Sequence, residues 1–152
     1  MLQAGVTAPA FTLRDLAGNE KSLDRILSSG PALLALFKVS CPVCQFAFPF
    51  LERIATQGNL QVIAVSQDDA KSTTQFRAKL GITLPTLLDE SGYPVSNAFG
   101  ITTVPSLFLV EPDGLISMAS EGFSKADIEE VGRRAGVIPF RPNEKIPALK
   151  AG

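Results

Sequence analysis

Leu33-Leu34-Ala35-Leu36-Phe37 is apolar at every position, whereas Phe11-Thr12-Leu13-Arg14-Asp15 alternates. An uninterrupted apolar run predicts a strand covered on both faces, central to a mostly parallel sheet. The alternating run, followed by Ala17-Gly18-Asn19-Glu20, predicts a short edge strand and a turn. Ser22 to Leu27 reads as a helical turn or short helix. From Pro42 to Ala55 the apolar spacing lengthens to a helical one, with Cys44, Ala47 or Phe48, Leu51 and Ile54 or Ala55 on one face. Pro49 falls inside that helix and is expected to kink it. Phe46, Phe48 and Phe50 read as core and helix-surface residues, any exposed one adding to an apolar docking patch.

Leu60 to Val65 predicts a second buried strand, after which Asp68-Asp69 is placed to cap a helix carrying Phe76 and Leu80. Pro85 to Asp89 reads as a third short strand and Tyr93 to Phe99 as a helix ending at Gly100. Ser106 to Val110 and Leu115 to Ala119, joined through Pro112-Asp113-Gly114, predict an antiparallel hairpin. Ser124 caps a last amphipathic helix, with Ile128, Val131 and Ala135 inward and Glu129, Glu130, Arg133 and Arg134 outward. Residues 138–152, rich in Pro and polar positions, read as an extended tail. The order predicts one α/β domain over residues 1–152, its sheet parallel at first and antiparallel at its end.

Composition narrows the functions open to such a domain. The 152 residues suffice for a sizeable core. Fourteen basic and fifteen acidic side chains leave a net charge of -1 without a basic run, so nucleic acid is not an expected partner. No apolar stretch approaches the ~18 residues of a membrane span, and a monomer is expected. If Met1 is the natural start a cytoplasmic protein follows, and if a signal segment preceded it a periplasmic or extracytoplasmic one. The sequence contains no histidine, which removes Cys/His proteases, His-ligated metals and His general bases.

The two cysteines form Cys41-Pro42-Val43-Cys44, placed after the apolar strand and at the start of the helix. A disulfide between them closes a loop too small to stabilise much, so the bond is better suited to being made and broken. Two thiols without histidine are half of a tetrahedral metal site, and neither a metal nor a cofactor is expected. Cys41, at the helix N-terminus where free N–H groups favour negative charge, is the expected attacking sulfur. Cys44, one turn inward, is the expected resolving sulfur. Pro42 fits a first helical position. With Val43 it forms the apolar surface between the sulfurs. Lys38 either faces Cys41 or extends to solvent.

These features together resemble the thioredoxin-fold redoxins, most closely the TlpA-like thiol:disulfide oxidoreductases related to the AhpC/TSA peroxiredoxin group. The resemblance spans about Gly5 to Gly136. Its parts are the opening Gly5-Val6-Thr7-Ala8-Pro9, the Cys41–Cys44 motif, Pro49, Val62 to Ser66, and Ile101 to Val110 with its Pro112-Asp113-Gly114 turn. It implies a thioredoxin-like fold: a central mixed sheet flanked by helices, with an N-terminal extension and an inserted α/β element. It further implies that Pro105 follows a cis bond opposite the cysteines, and that the Val104 backbone pairs with an extended substrate. The implied partners are a protein dithiol or disulfide and an upstream redox protein. Two positions depart from the pattern. Ser40 stands where thioredoxins commonly carry Trp, and Ala35 stands where they keep a buried acid.

Two other readings compete with disulfide exchange. A peroxiredoxin-type peroxidase carries Pro-x-x-x-Thr/Ser-x-x-Cys, but Phe37 and Cys41 occupy those positions before Cys44, and Leu34 and Lys38 before Cys41. Peroxiredoxins also use a distant Arg to stabilise peroxide and thiolate, and the lack of any Arg between Arg77 and Arg133 narrows the candidates for it. A non-enzymatic binding or chaperone module would use the same apolar patch and predicts that the thiols are dispensable.

Overall fold

A computed structural model describes residues 1–152. The apolar run forms β3 (Ala32–Phe37), all of whose residues are buried. The pleat sends Leu33, Ala35 and Phe37 to one hydrophobic cluster and Ala32, Leu34 and Leu36 to another, so the strand needs apolar side chains on both faces. Around it lie β1 (Thr12–Asp15), β2 (Glu20–Ser22), β4 (Gln61–Ser66), β5 (Thr86–Leu88), β6 (Ser106–Val110) and β7 (Ile116–Glu121) in the order β2-β1-β5-β4-β3-β6-β7. β3, β4 and β5 run parallel, while β6, β7, β1 and β2 add antiparallel pairings at the two sides. The expected mixed sheet is therefore present. None of the helices is long and apolar enough to cross a membrane.

One face is covered by α2 (Pro42–Gln57), α5 (Lys125–Ala135) and Phe76 of α3 (Ala70–Leu80). In α2 the buried positions Cys44, Ala47, Phe48, Leu51 and Ile54 recur at helical spacing, and a fully buried Leu such as Leu51 contributes about 1.5–3 kcal/mol. The opposite cluster includes Leu23 and Leu27 of α1 (Leu23–Leu27), Val95 of α4 (Pro94–Ala98) and Phe99.

Several expected boundaries shift for local reasons. Helix α4 starts at Pro94 because Tyr93 takes a left-handed conformation, φ 54°. The strand expected over Pro85 to Asp89 stops at Leu88, and the buried carboxylate of Asp89 turns to accept the Val95 and Ser96 N–H groups at 2.8 Å each. The expected joint Asp68-Asp69 cap divides: Asp69 accepts the Ser72 N–H at 2.8 Å and caps α3, while Asp68 leaves the helix for another task.

The tail packs onto the domain. Arg53 of α2 makes a bidentate pair with Glu144 at 2.7 and 2.8 Å and donates to the Pro139 carbonyl at 2.9 Å. Further on, β9 (Leu149–Lys150) pairs antiparallel with β8 (Phe123–Ser124).

Candidate active site

Sheet register brings the cysteines and the Val104 loop together. Leu36 in β3 pairs with Ser106 in β6, and the two strands are antiparallel. Beyond Leu36 the chain moves toward the cysteines, just as Ser106 leads back to Pro105 and Val104. The Val104–Pro105 bond is cis. Cys41 is the N-cap of α2, and its sulfur accepts the Cys44 N–H at 3.1 Å. Its thiol donates to the Val104 carbonyl at 3.4 Å. The hydrogen bond from this loop to the sulfur is thus made through the Val104 carbonyl, and Pro105 is buried.

The turn that presents Cys41 is fixed from two sides. Asp68 accepts the Val39 N–H at 2.8 Å, and the Gln45 side chain donates to the Val39 carbonyl at 2.9 Å. The Cys41 N–H closes the turn onto the Lys38 carbonyl at 3.3 Å. Asp68 and Gln45 are positioning residues that the sequence did not disclose. Asp68 lies 29 positions from Val39, and an acid beside Asp69 reads as part of a cap.

The two sulfurs sit in unlike surroundings. Cys41 is half-buried and borders exposed Pro42, whereas Cys44 is fully buried against the core. Both are free thiols. Burial pushes the Cys44 thiol well above its ordinary range, and its hydrogen bond to the Cys41 sulfur pushes the same way. Val43 is half-buried beside the pair and Lys38 is exposed. Lys38 borders a shallow cleft of about 270 Å³ with Gln67, Tyr93, Thr103 and Val104. Among the phenylalanines, Phe48 and Phe50 are buried and Phe46 is half-buried, packing edge-on to Phe50 and Phe123.

One buried nucleophile beneath one accessible nucleophile, joined by the first turn of a helix, can form and resolve a mixed disulfide. A family model described as the AhpC/TSA family matches residues 4–119. The chain is 29% identical over 130 residues to the thiol-disulfide oxidoreductase ResA of Geobacillus kaustophilus, covering 82% of this chain and 74% of that protein. It is 32% identical over 115 residues to the thiol:disulfide interchange protein DsbE of Vibrio cholerae, covering 74% of this chain and 61% of that one. Among solved structures it is similar to one described as a putative thiol:disulfide interchange protein DsbE from Chlorobium tepidum. There the TM-score is 0.75 at 23% identity, over 88% of this chain and 96% of that one.

Proposed function

The chain belongs to the AhpC/TSA family, and we propose that it works as a thiol:disulfide oxidoreductase in which Cys41 attacks, Cys44 resolves and the partner is a protein dithiol or disulfide. The observation that carries this reading is the asymmetry of the pair, a half-buried N-cap sulfur above a fully buried one. Cys41, as thiolate, attacks one sulfur of a partner disulfide. That S–S bond breaks, a mixed disulfide forms and the partner's other sulfur leaves as thiolate. Cys44 loses its proton and attacks the Cys41 sulfur, which expels the second partner thiolate and leaves a Cys41–Cys44 disulfide. The partner gains two electrons and this chain loses two, and protons taken up by the departing thiolates complete the balance. Run backwards, the same steps oxidise a partner dithiol. An upstream redox protein with its own thiol pair restores the starting state.

In this reading Pro42 and Val43 form the apolar surface on which the partner's sulfur lands. Val104 and Pro105 border the approach to Cys41, with the Val104 carbonyl beside the reacting sulfur.

Trapping the intermediate tests the roles. With a protein disulfide as substrate, Cys44→Ser should accumulate a covalent adduct through Cys41, because the resolving sulfur is gone. Cys41→Ser should form none. An adduct that builds up on Cys44 in Cys41→Ser would reverse the assignment.

A further inference from the structure

The segment Ala148–Gly152 runs along β8 to the Val104 loop without entering the core, and every one of its residues is exposed. Its attachments are to main chain and to one ring. Lys150 pairs with Phe123 and Leu149 with Ser124, and the Lys125 N–H donates to the Ala148 carbonyl at 2.9 Å. The Lys150 ammonium lies 5.2 Å from the centre of the Phe46 ring on the active-site helix.

Two glycines permit a closer approach than side chains would allow. At Gly122, whose φ is 69°, a Cβ would lie 2.6 Å from the Lys150 carbonyl oxygen and 3.2 Å from the Gly152 nitrogen. At Gly152 a Cβ would lie 2.3 Å from the Val104 carbonyl oxygen and 2.7 Å from the Thr103 hydroxyl. Gly152 therefore packs directly on the carbonyl that accepts the Cys41 thiol at 3.4 Å. A disulfide carried on a protein brings main chain on both sides of its sulfur, and that chain needs the space around Val104.

We propose that Ala148–Gly152 form a strap that occupies, in the resting protein, the extended-chain position beside Val104, and that a protein partner reaches Cys41 by displacing it. The proposal rests on the assignment of Cys41 as the attacking sulfur. A two-residue ladder with exposed side chains is weakly held, so the strap can leave without disturbing the sheet. Small molecules that need only the sulfur pass it, whereas extended chains compete with it.

Labelling of Cys41 in the reduced protein, with iodoacetamide as small reagent and a polyethylene-glycol maleimide as bulky one, tests the strap. Deleting residues 148–152 should raise the bulky-to-small rate ratio about threefold to tenfold, the penalty expected when the competent state is a minor one. The iodoacetamide rate should stay unchanged. Lys150→Ala, which keeps the whole chain and removes only the clasp on Phe46, should raise the ratio about twofold to fivefold, the size of an exposed cation–π contact. An unchanged ratio in the folded truncated chain overturns the proposal, as does an unchanged ratio in Lys150→Ala should the truncated chain fail to fold. Failure of the functional assignment would look different: iodoacetamide would label Cys44 first in the undeleted chain.

Discussion

Cys44 depends on its surroundings for the timing of its chemistry. It sits at the core side of α2, in the same hydrophobic cluster as Ala35. Where thioredoxins keep a buried acid this chain has a methyl group, so a carboxylate at that site cannot take the proton. Burial is the main cause that raises this thiol, and unlike the hydrogen bond to the Cys41 sulfur it does not depend on Cys41 remaining a free thiol. The second step should therefore be limited by the ionised fraction of Cys44. Release of the partner from a preformed mixed disulfide should accelerate about tenfold per pH unit from neutrality upward. A stopped-flow profile that is flat between neutral pH and the ordinary thiol value of 9.0 would contradict this. The linked effect on stability has the opposite sense. A folded-state value raised above the unfolded one means that the native protein holds the proton more tightly, so this contribution is complete below pH 9.0 and declines above it.

At the scale of elements, close packing of the returning chain against α5 has a single-residue cause. Gly132 lies in the buried face of α5, and a Cβ there would meet the Val137 carbonyl oxygen at 2.6 Å and the Pro139 ring at 2.8 Å. The Val137 N–H is itself bonded to the Gly132 carbonyl at 2.7 Å, which leaves the segment little freedom to retreat. Gly132→Ala would gain up to about 1 kcal/mol of helix propensity but add overpacking of about 1–3 kcal/mol. Denaturant unfolding should show a net loss of up to about 2 kcal/mol, and a variant more stable than the parent would mean that Val137–Pro139 moves aside. Elements with a strong period were legible in advance: β3 from its unbroken apolar run, α2 and α5 from their helical stripes, and the β6–β7 hairpin from Pro112-Asp113-Gly114. Strands β2, β8 and β9 were not, because three or two residues carry no period. The adjacent cysteines of the site could be read from four consecutive residues. Asp68 and the strap could not, since each acts on a partner distant in sequence.

For the molecule as a whole, the tail forms a belt across α2, with Arg53 as its main ionic fastening. Phe140 stacks edge-on against Phe50 at 4.9 Å, and the Arg53 guanidinium lies 5.0 Å from the Phe50 ring while holding Glu144. The Arg141 N–H donates to the same carboxylate at 2.7 Å. These partners, Arg53 foremost, hold the Glu144 carboxyl down at about 2 against an ordinary 4.5. A depressed folded-state value contributes stability that is present above pH 4.5 and lost as the pH falls through about 2. Glu144→Gln keeps the shape of the side chain and removes its titration. Melting temperatures of the parent and this variant should accordingly differ most at neutral pH and converge as the pH falls from 4.5 toward 2. A difference that persists undiminished at the acid end would show that Glu144 fastens the belt by hydrogen-bond geometry alone and that its charge contributes nothing.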